Sequence, residues 1–401
     1  MKIGLVSFNT FTRPGGVKRH VLGLYKAYKK RGMDVKIIIP RRNDMENYGK
    51  DVILLGTSFP LTFNGSQGDL AVNFNMPAIE RILEQEKFDI LHFQNFGFPS
   101  IVQILRKSNA LNILTFHANV TGSNFLKNFP SILYFMEKFA EWKLDGIIGV
   151  ASFNLKPFTR FKGPKIVIPN GIDPDEFNPR VPKINKYIDG KINILFVGRI
   201  EERKGLIYLL KAYEILQKKH SNLRLIIIGE GELRSECEDW VRIHHLKEVH
   251  FEGEITGKKI PQYFSTADIY VSPAIFGESF GIVLLEAMAC GTPIVGFANQ
   301  GYKEFLGKKR SGRFLVKPRD FKGLASKIDI LVSNNNLRKK MQEWGIAESK
   351  KYSWEKIADR VLDFYQICAK KKKDRPRNGI YIDKIIKKLY NKKTLSWLIP
   401  Q

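Results

Sequence analysis

The sequence predicts an α/β protein made of two doubly wound, Rossmann-like domains that face each other across a cleft. Its 401 residues exceed what one ordinary hydrophobic core organises, so two domains are expected. Short β-branched runs alternate with helical stretches in both halves of the chain, a pattern typical of parallel sheets covered on both faces. A segment with four prolines, residues 168–190, separates the two series.

The predicted strands are continuous apolar runs that are too short for helices. In chain order they are KIGLVSF, VKIIIP, DILHFQ, NILTFH and GIIGV, then INILFVG, LRLIIIG, VHFEG, DIYVSP and PIVGF. The helix after the first strand has a clear period and ends at Gly32. One face of this helix carries Val17, Val21, Leu24, Tyr25 and Tyr28.

These patterns divide the chain into an N-terminal domain over residues 1–172, a linker over 173–190 and a C-terminal domain over 191–353. The end of the chain, residues 371–401, is a basic amphipathic tail. From Lys370 to Gln401 there are eleven Lys and Arg against two Asp, and isoleucines recur at helical spacing opposite lysines. This pattern is typical of a helix that lies on an anionic membrane surface.

The formal net charge of +26 and the pI near 9.8 favour polyanionic partners, which include nucleic acids, anionic lipids and phosphorylated small molecules. Cys237, Cys290 and Cys368 are far apart and form no CxxC pattern, so neither a disulfide framework nor a zinc site is predicted. The start of the chain resembles a strand rather than a signal peptide, and no run approaches ~18 apolar residues. A cytoplasmic protein is therefore expected.

Candidate ligand-binding residues follow the predicted strands, at the edge where open parallel sheets bind ligands. If the two sheets face each other by these edges, the cleft collects glycines, a histidine, cations and carboxylates into one site for a polyanion. A glycine pair also suits an ordinary turn, and the cations also suit a solvated surface. The residues are Gly15, Gly16, His117, Arg199, Lys204, Glu278 and Glu286.

The stretch GESFGIVLLEAMACGTP places Glu278 and Glu286 eight positions apart around small and apolar residues. If Glu278 stands just before a helix that contains Glu286, about 12 Å separates the two carboxylates along the axis. That distance matches a nucleotide sugar held at its hexose and its ribose. The helix N-terminus between them would face the diphosphate. Because the sequence contains neither GxGxxG nor GxxxxGK[ST], dehydrogenase and P-loop functions are less favoured.

The same stretch, together with PGGVKRHV, DILHFQ, TFHA, IPNGID, VGRIEERKG and YSWEKIA, resembles the retaining glycosyltransferases of family 4, which have the GT-B fold. The resemblance covers roughly residues 1–370. Within that family the chain is most similar to the phosphatidylinositol α-mannosyltransferases. The resemblance implies that a helix at about 354–370 crosses back to the N-terminal, acceptor-side domain, while the C-terminal domain binds the nucleotide sugar.

The resemblance also implies a role for each candidate residue. Glu278 would contact the donor sugar, Glu286 the ribose, and Arg199 with Lys204 the β-phosphate. Gly15 and Gly16 would approach the diphosphate, and backbone amides would meet sugar and phosphate. Four of these residues, His117, Arg199, Lys204 and Glu278, form the predicted catalytic set. The amides are those of Phe280, Gly281 and Ile282, and the acceptor-side residues are Lys18, Asn64 and His117.

No metal or bound cofactor is expected, although a divalent ion could stimulate the reaction without a fixed site. The Asp173-Pro174-Asp175 match to a metal motif lies in the hinge-like IPNGIDPDEF and is not assigned. One departure concerns the acceptor, because NGSQGD places Asp69 where a basic residue would hold inositol phosphate. The stretch MPAIERILEQEKF also lacks the dense basic helix expected at a bilayer.

The principal hypothesis is a retaining hexosyltransferase, peripheral on the inner face of the cell membrane, that moves mannose from GDP-mannose to a lipid or glycolipid. A glycan or polysaccharide transferase that uses a UDP-sugar is the nearest alternative. A nucleic-acid-binding protein is a hypothesis of another class, but the sequence shows no RRM, KH or zinc-finger signature, so no nucleic acid is expected. A sugar-nucleotide epimerase would share donor binding without a second substrate.

Overall fold

The chain forms two compact units in the computed structural model. The first unit comprises Met1–Pro169 and the chain from Trp354 onward, and the second comprises Asn170–Ser353. The structure describes residues 1–12, 15–43, 45–63, 66–72, 75–96, 100–119, 130–257 and 259–373.

The strands form one sheet in each unit. Those of the first unit are β1 (Lys2–Ser7), β2 (Asp34–Arg41), β3 (Val52–Phe63), β4 (Ser66–Val72), β5 (Ile90–Gln94), β6 (Leu111–Phe116), β7 (Gly146–Gly149) and β8 (Lys165–Val167). Those of the second are β9 (Ile192–Val197), β10 (Leu223–Ile228), β11 (Val249–Phe251), β12 (Ile269–Ser272), β13 (Ile294–Phe297) and β14 (Leu315–Val316).

The helices separate these strands along the chain. They are α1 (Gly16–Lys30), α2 (Met76–Glu86), α3 (Ser100–Lys107), α4 (Pro130–Lys143), α5 (Leu206–Gln217) and α6 (Arg234–Ile243). They continue with α7 (Lys259–Thr266), α8 (Ile282–Ala289), α9 (Gln300–Leu306), α10 (Phe321–Ser333), α11 (Asn335–Ser349) and α12 (Trp354–Lys373). A short 3₁₀ turn, Glu202–Lys204, lies between β9 and α5.

The predicted fold class is confirmed. The spatial order of the first sheet is β4-β3-β2-β1-β5-β6-β7-β8, and that of the second is β11-β10-β9-β12-β13-β14. Apart from one antiparallel pair, neighbouring strands run parallel, as the continuous apolar runs predict. That pair is β3 and β4, a hairpin at the edge of the first sheet that the sequence analysis missed.

The first unit has its core where α1 and α12 pack together against the sheet. Val21, Leu24 and Tyr28 of α1 are fully buried, in agreement with the predicted apolar face. The two helices meet at Gly23, where a Cβ would lie 2.0 Å from Trp354 Cε2. Only a residue without a side chain allows this approach, so Gly23 fixes how α12 packs on α1.

Residues 173–190, which the sequence predicts to be a linker, pack within the second unit. Phe177 and Tyr187 are 5% and 3% exposed, and the Ile184 N–H donates to Thr266 Oγ1 at 2.9 Å. Their aromatic side chains bury too much surface for a freely solvated connection. The acceptor-side and donor-side roles of the two domains stay predictions.

No helix within the described ranges combines the length and the apolar composition that crossing a bilayer requires.

Candidate functional site

The strand order of the second sheet reverses between β9 and β12, which lie side by side at its centre. The candidate residues of this unit follow these two strands. β9 pairs with β12 on one side and with β10 on the other, so the connections from β9 and β12 diverge. Such a switch point leaves a crevice outside the carboxyl ends of the strands, where open α/β sheets bind ligands. Arg199 and Lys204 follow β9, and Glu278 follows β12.

The loops after β9 and β12 are held together by backbone contacts. The Ile275 N–H donates to the Arg203 carbonyl oxygen at 2.8 Å. Gly205 has a left-handed φ of 69°, and a Cβ there would lie 2.3 Å from the Pro273 oxygen. Glycine is required at this position for both reasons. The side chains that leave the two loops therefore start from a fixed backbone.

A chain of alternating charges joins these loops. Lys204 Nζ lies 2.7 Å from Glu278 Oε1, and Arg203 Nη1 lies 3.2 Å from the same oxygen. Arg203 Nε pairs with Glu201, and Arg199 Nη2 lies 3.3 Å from Glu201 Oε1. Two predicted residues, Lys204 and Glu278, are thus in direct contact, whereas Arg199 reaches the group through Glu201. The sequence analysis missed Glu201 and Arg203, although both lie in the quoted GRIEERKG.

The Glu278 carboxylate is held in its charged form. Burial raises the pKa of Glu278, but Lys204 and Arg203 together lower it further, so the net shift is downward. The Arg199 side chain is 41% exposed, whereas those of Arg203 and Lys204 are each 16% exposed. Arg199 therefore presents its guanidinium to solvent at the entrance of the cluster, and Lys204 lies deeper.

Helix α8 begins directly after this cluster. Its N-cap, Gly281, has a φ of 83°, and a Cβ there would lie 2.4 Å from Tyr302 Cε1. Ile282 is the first helical residue, so its amide has no acceptor within the helix. Phe280 is 5% exposed and its ring lies 4.4 Å from that of Phe305, so it can offer a ligand mainly its backbone. Glu286 is fully buried in α8.

The glycine pair of the first unit stands at the start of α1. Gly15 is the N-cap with an extended φ of 178°, a conformation open to any residue. Within the part of the chain that the structure describes, a Cβ at Gly15 or Gly16 would meet nothing within 4 Å. Among the described residues, therefore, neither backbone strain nor packing requires glycine at these two positions. Lys18 Nζ donates to the Phe11 carbonyl at 2.6 Å.

His117 follows β6, as predicted, and is held from two sides. Its backbone N–H donates to Asn95 Oδ1 at 2.7 Å, and its ring Nε2 lies 2.9 Å from Gln94 Oε1. Asn95 adopts a left-handed φ of 68°, which asparagine tolerates better than most residues. Burial is the main cause of a pKa well below the ordinary value for His117, and His20 and His92 lower it further. The His117 ring is therefore neutral at neutral pH.

Two further histidines, His20 and His92, lie close to His117 within the first unit. The His20 and His117 rings meet edge to face with centroids 4.7 Å apart. His92 is fully buried, with Nε2 2.6 Å from Thr115 Oγ1 and Nδ1 2.6 Å from the Tyr365 hydroxyl. The position of His92 inside DILHFQ indicates a strand but not this contact, because Tyr365 belongs to α12, more than 270 residues away.

Some predicted features lie outside the described residues. They are Asn64 and the tail beyond Lys373. Asp69 lies in β4 opposite Pro60. In the declined DPD motif, Asp173 Oδ1 accepts the Asp175 N–H at 3.1 Å, which forms a local turn in the second unit.

Comparison with known proteins adds independent information. A family model described as Glycosyltransferase Family 4 matches residues 14–176, and one described as Glycosyl transferases group 1 matches residues 178–348. The phosphatidyl-myo-inositol mannosyltransferase of Mycobacterium leprae is 31% identical over 381 residues, covering 92% of this chain and 97% of that protein. Its counterpart in Propionibacterium freudenreichii is 30% identical and covers 92% and 95%, respectively.

Among solved structures, sucrose-phosphate synthase from Thermosynechococcus elongatus superposes with a TM-score of 0.74 at 21% identity. The match covers 91% of this chain and 98% of that chain. At this level of identity the likeness concerns the fold.

Proposed function

The chain belongs to glycosyltransferase family 4, and we propose that it moves mannose from GDP-mannose to a lipid or glycolipid acceptor at a membrane surface. Family membership makes it a retaining glycosyltransferase with the GT-B fold that uses a nucleotide sugar. Mannose and an inositol-lipid acceptor are supported by the names of relatives that are about 30% identical along nearly the whole chain.

The observation that carries the donor side of the proposal is the contact of Lys204 and Arg203 with Glu278 at the switch point of the second sheet. Transfer requires a nucleoside diphosphate to depart with growing negative charge. Arg199, Lys204 and the N-terminus of α8 would stabilise that charge. Glu278 would accept hydrogen bonds from hydroxyls of the sugar, and Glu286 from the ribose.

The first unit would contribute the acceptor side. Gly15 and Gly16, which lack side chains, would let the diphosphate approach the start of α1. A neutral His117 can hydrogen-bond a sugar hydroxyl without adding a positive charge that would compete for phosphate. In a retaining reaction without a covalent intermediate, the acceptor hydroxyl attacks the face from which the diphosphate leaves. Lys18 and Asn64 are proposed to lie beside that acceptor.

Asp69 gives a specific reason to keep a second acceptor class. A carboxylate at this position would repel an inositol phosphate, whereas it would accept hydrogen bonds from the hydroxyls of an uncharged glycan. A UDP-sugar-dependent glycan transferase is therefore the second candidate.

The test starts with thermal unfolding in the presence of individual nucleotide sugars. GDP-mannose is expected to raise the melting temperature more than UDP-glucose or UDP-N-acetylglucosamine, because only a ligand that binds the folded state stabilises it. Radiolabelled transfer from the selected donor to lipid extracts and to free glycans then identifies the acceptor. Labelling of glycans with UDP-sugars alone would overturn the mannosyl-lipid proposal in favour of the second candidate.

A further inference from the structure

We propose that Arg203 is a positioning residue of the donor site, which bridges Glu201 and Glu278 and thereby holds Glu278 in place for the donor sugar. The inference rests on the proposed function, because it assumes that Glu278 contacts the sugar. It adds a residue that neither the strand-exit pattern nor the family resemblance assigns.

The bridge is built from two different atoms of one guanidinium. Arg203 Nη1 lies 3.2 Å from Glu278 Oε1, while Nε pairs with Glu201. The side chains of Glu201 and Glu278 are 6% and 12% exposed, so both carboxylates are largely removed from water. The contact with Glu278 is a charge-assisted hydrogen bond, whereas the contact of Nε with Glu201 is an ion pair without hydrogen-bond geometry. In such surroundings the loss of one partner leaves a costly buried charge.

The loop geometry supports a fixed rather than an adaptable role for Arg203. Its carbonyl oxygen accepts the Ile275 N–H at 2.8 Å, so the backbone of residue 203 is tied to the loop that carries Glu278. Gly205, packed against Pro273, closes the same junction. The side chain and the main chain of Arg203 thus both join the β9 loop to the β12 loop.

Arg203 and Lys204 would divide two tasks between them. Both contact the same oxygen of Glu278. When Lys204 engages a phosphate, its attraction for Glu278 is shared with the ligand, whereas Arg203 remains anchored by Glu201. Arg203 therefore keeps Glu278 oriented during the step in which the sugar and the diphosphate separate. A lysine has a single charged nitrogen and cannot span two carboxylates in the same way.

The decisive variant is Arg203→Lys, which keeps the charge and removes the fork. Isothermal titration calorimetry with GDP measures the affinity for the nucleotide without the sugar. The kinetics of GDP-mannose hydrolysis without acceptor depend in addition on the contacts with the sugar. We expect the GDP dissociation constant to change by less than about twofold and kcat/KM for GDP-mannose to fall by at least about tenfold. Glu201→Gln removes the carboxylate that pairs with Arg203 Nε. It is expected to lower kcat/KM for GDP-mannose as well, with little change in the GDP dissociation constant.

Arg224 offers a matched control at the other end of the second sheet. It is 5% exposed, bridges Asp189 and Glu248, and lies near the start of β10, away from the carboxyl ends of the strands. Arg224→Lys is expected to lower the melting temperature, because it also breaks the bridge of a buried guanidinium to two partly exposed carboxylates. The ratio of kcat/KM for GDP-mannose to the affinity for GDP should stay unchanged. This control separates a loss of stability from a loss of positioning.

The outcomes are distinct. Equal losses for GDP and GDP-mannose in Arg203→Lys would make Arg203 a phosphate ligand and overturn the positioning role, and so would unchanged kinetics. If Arg203→Lys does not fold, Glu201→Gln supplies the same comparison. If the wild-type protein binds GDP-mannose and neither variant changes the rate of GDP-mannose hydrolysis, the positioning role of Arg203 is wrong. The proposed function is then unaffected. A wild-type protein that binds no nucleotide sugar defeats the proposed function and this inference with it.

Discussion

Glu278 has two cationic partners, Lys204 and Arg203, within a group of side chains that carries a surplus of positive charge. The group formed by Arg199, Glu201, Arg203, Lys204 and Glu278 contains three cations and two carboxylates. The carboxylates keep the cations in place at partly desolvated positions, where isolated charges would be unfavourable. In the proposed mechanism, the diphosphate would replace part of this internal pairing without a large rearrangement of side chains.

Lys204→Ala tests the cation of this group that lies nearest to the Glu278 carboxylate. The substitution removes the contact between Lys204 Nζ and Glu278 at 2.7 Å and, in the proposed mechanism, the charge opposite the departing phosphate. We expect kcat for donor hydrolysis to fall by about 10²–10³-fold, the range observed when one preorganised electrostatic group is removed. Lys219→Ala is the control, since Lys219 is 60% exposed and pairs with Asp329. Equal activity of the two variants would contradict the proposed role of Lys204.

At the scale of single residues, the sequence predicts which strands the candidate residues follow. It predicts less well which charged side chains form ion pairs with each other. Arg199, Lys204 and Glu278 are found because they follow apolar runs, and Lys204 and Glu278 are indeed in contact. Arg203 is missed because Glu202–Lys204 form one 3₁₀ turn, in which adjacent side chains point in different directions. The sequence alone does not tell which of the neighbouring cations faces a carboxylate on another loop.

Secondary-structure elements follow the sequence closely where both faces of a strand are buried. Ten strands come from the predicted continuous apolar runs, and the structure confirms them, whereas the short parallel strands β8 and β14 were not predicted. The sequence does not predict the β3–β4 hairpin, because Val52–Phe63 contains Gly56 and Pro60, which are uncommon inside strands. The partner strand, Ser66–Val72, begins with the polar stretch SQGD. The two strands pair up to Phe63 and Ser66. The sequence between these two residues is Asn-Gly, a dipeptide typical of hairpins.

The packing of α12 on α1 depends on the missing side chain of Gly23. Gly23→Ala would gain up to about 1 kcal/mol of helix propensity. It would also place a methyl group 2.0 Å from the present position of Trp354 Cε2, and such overpacking typically costs about 1–3 kcal/mol. We therefore expect a net decrease in the free energy of unfolding, measured by urea denaturation with tryptophan fluorescence.

A double variant checks the physical reason for this decrease. Trp354→Leu makes room for the new methyl group, so Gly23→Ala combined with Trp354→Leu should lose less stability than the sum of the single changes. Strictly additive losses would show that the contact between the two helices is not the cause. Far-ultraviolet circular dichroism establishes that each variant keeps its helices before the free energies are compared.

On the scale of the whole molecule, each unit carries part of the predicted site at the carboxyl ends of its own strands. The second unit offers the cluster around Glu278, and the first offers His117 and the glycine pair at the start of α1. The prediction that these parts share one cleft stays a prediction. Family membership answers the question that the net charge of +26 left open, since it favours an enzyme over a nucleic-acid-binding protein.

The basic tail is the part of the chain proposed to bring the enzyme to its lipid acceptor. Residues 374–401 contain seven Lys and Arg against two Asp, and each cation near an anionic surface contributes about 1 kcal/mol. Truncation after Lys373 keeps Lys372, whose Nζ lies 2.8 Å from Asp145 Oδ2. We expect the truncated protein to lose salt-sensitive co-sedimentation with phosphatidylglycerol vesicles and to retain donor hydrolysis. Replacing Lys384, Lys387 and Lys388 by Gln should weaken binding at full length. Undiminished co-sedimentation of the truncated protein would exclude the tail as the membrane anchor.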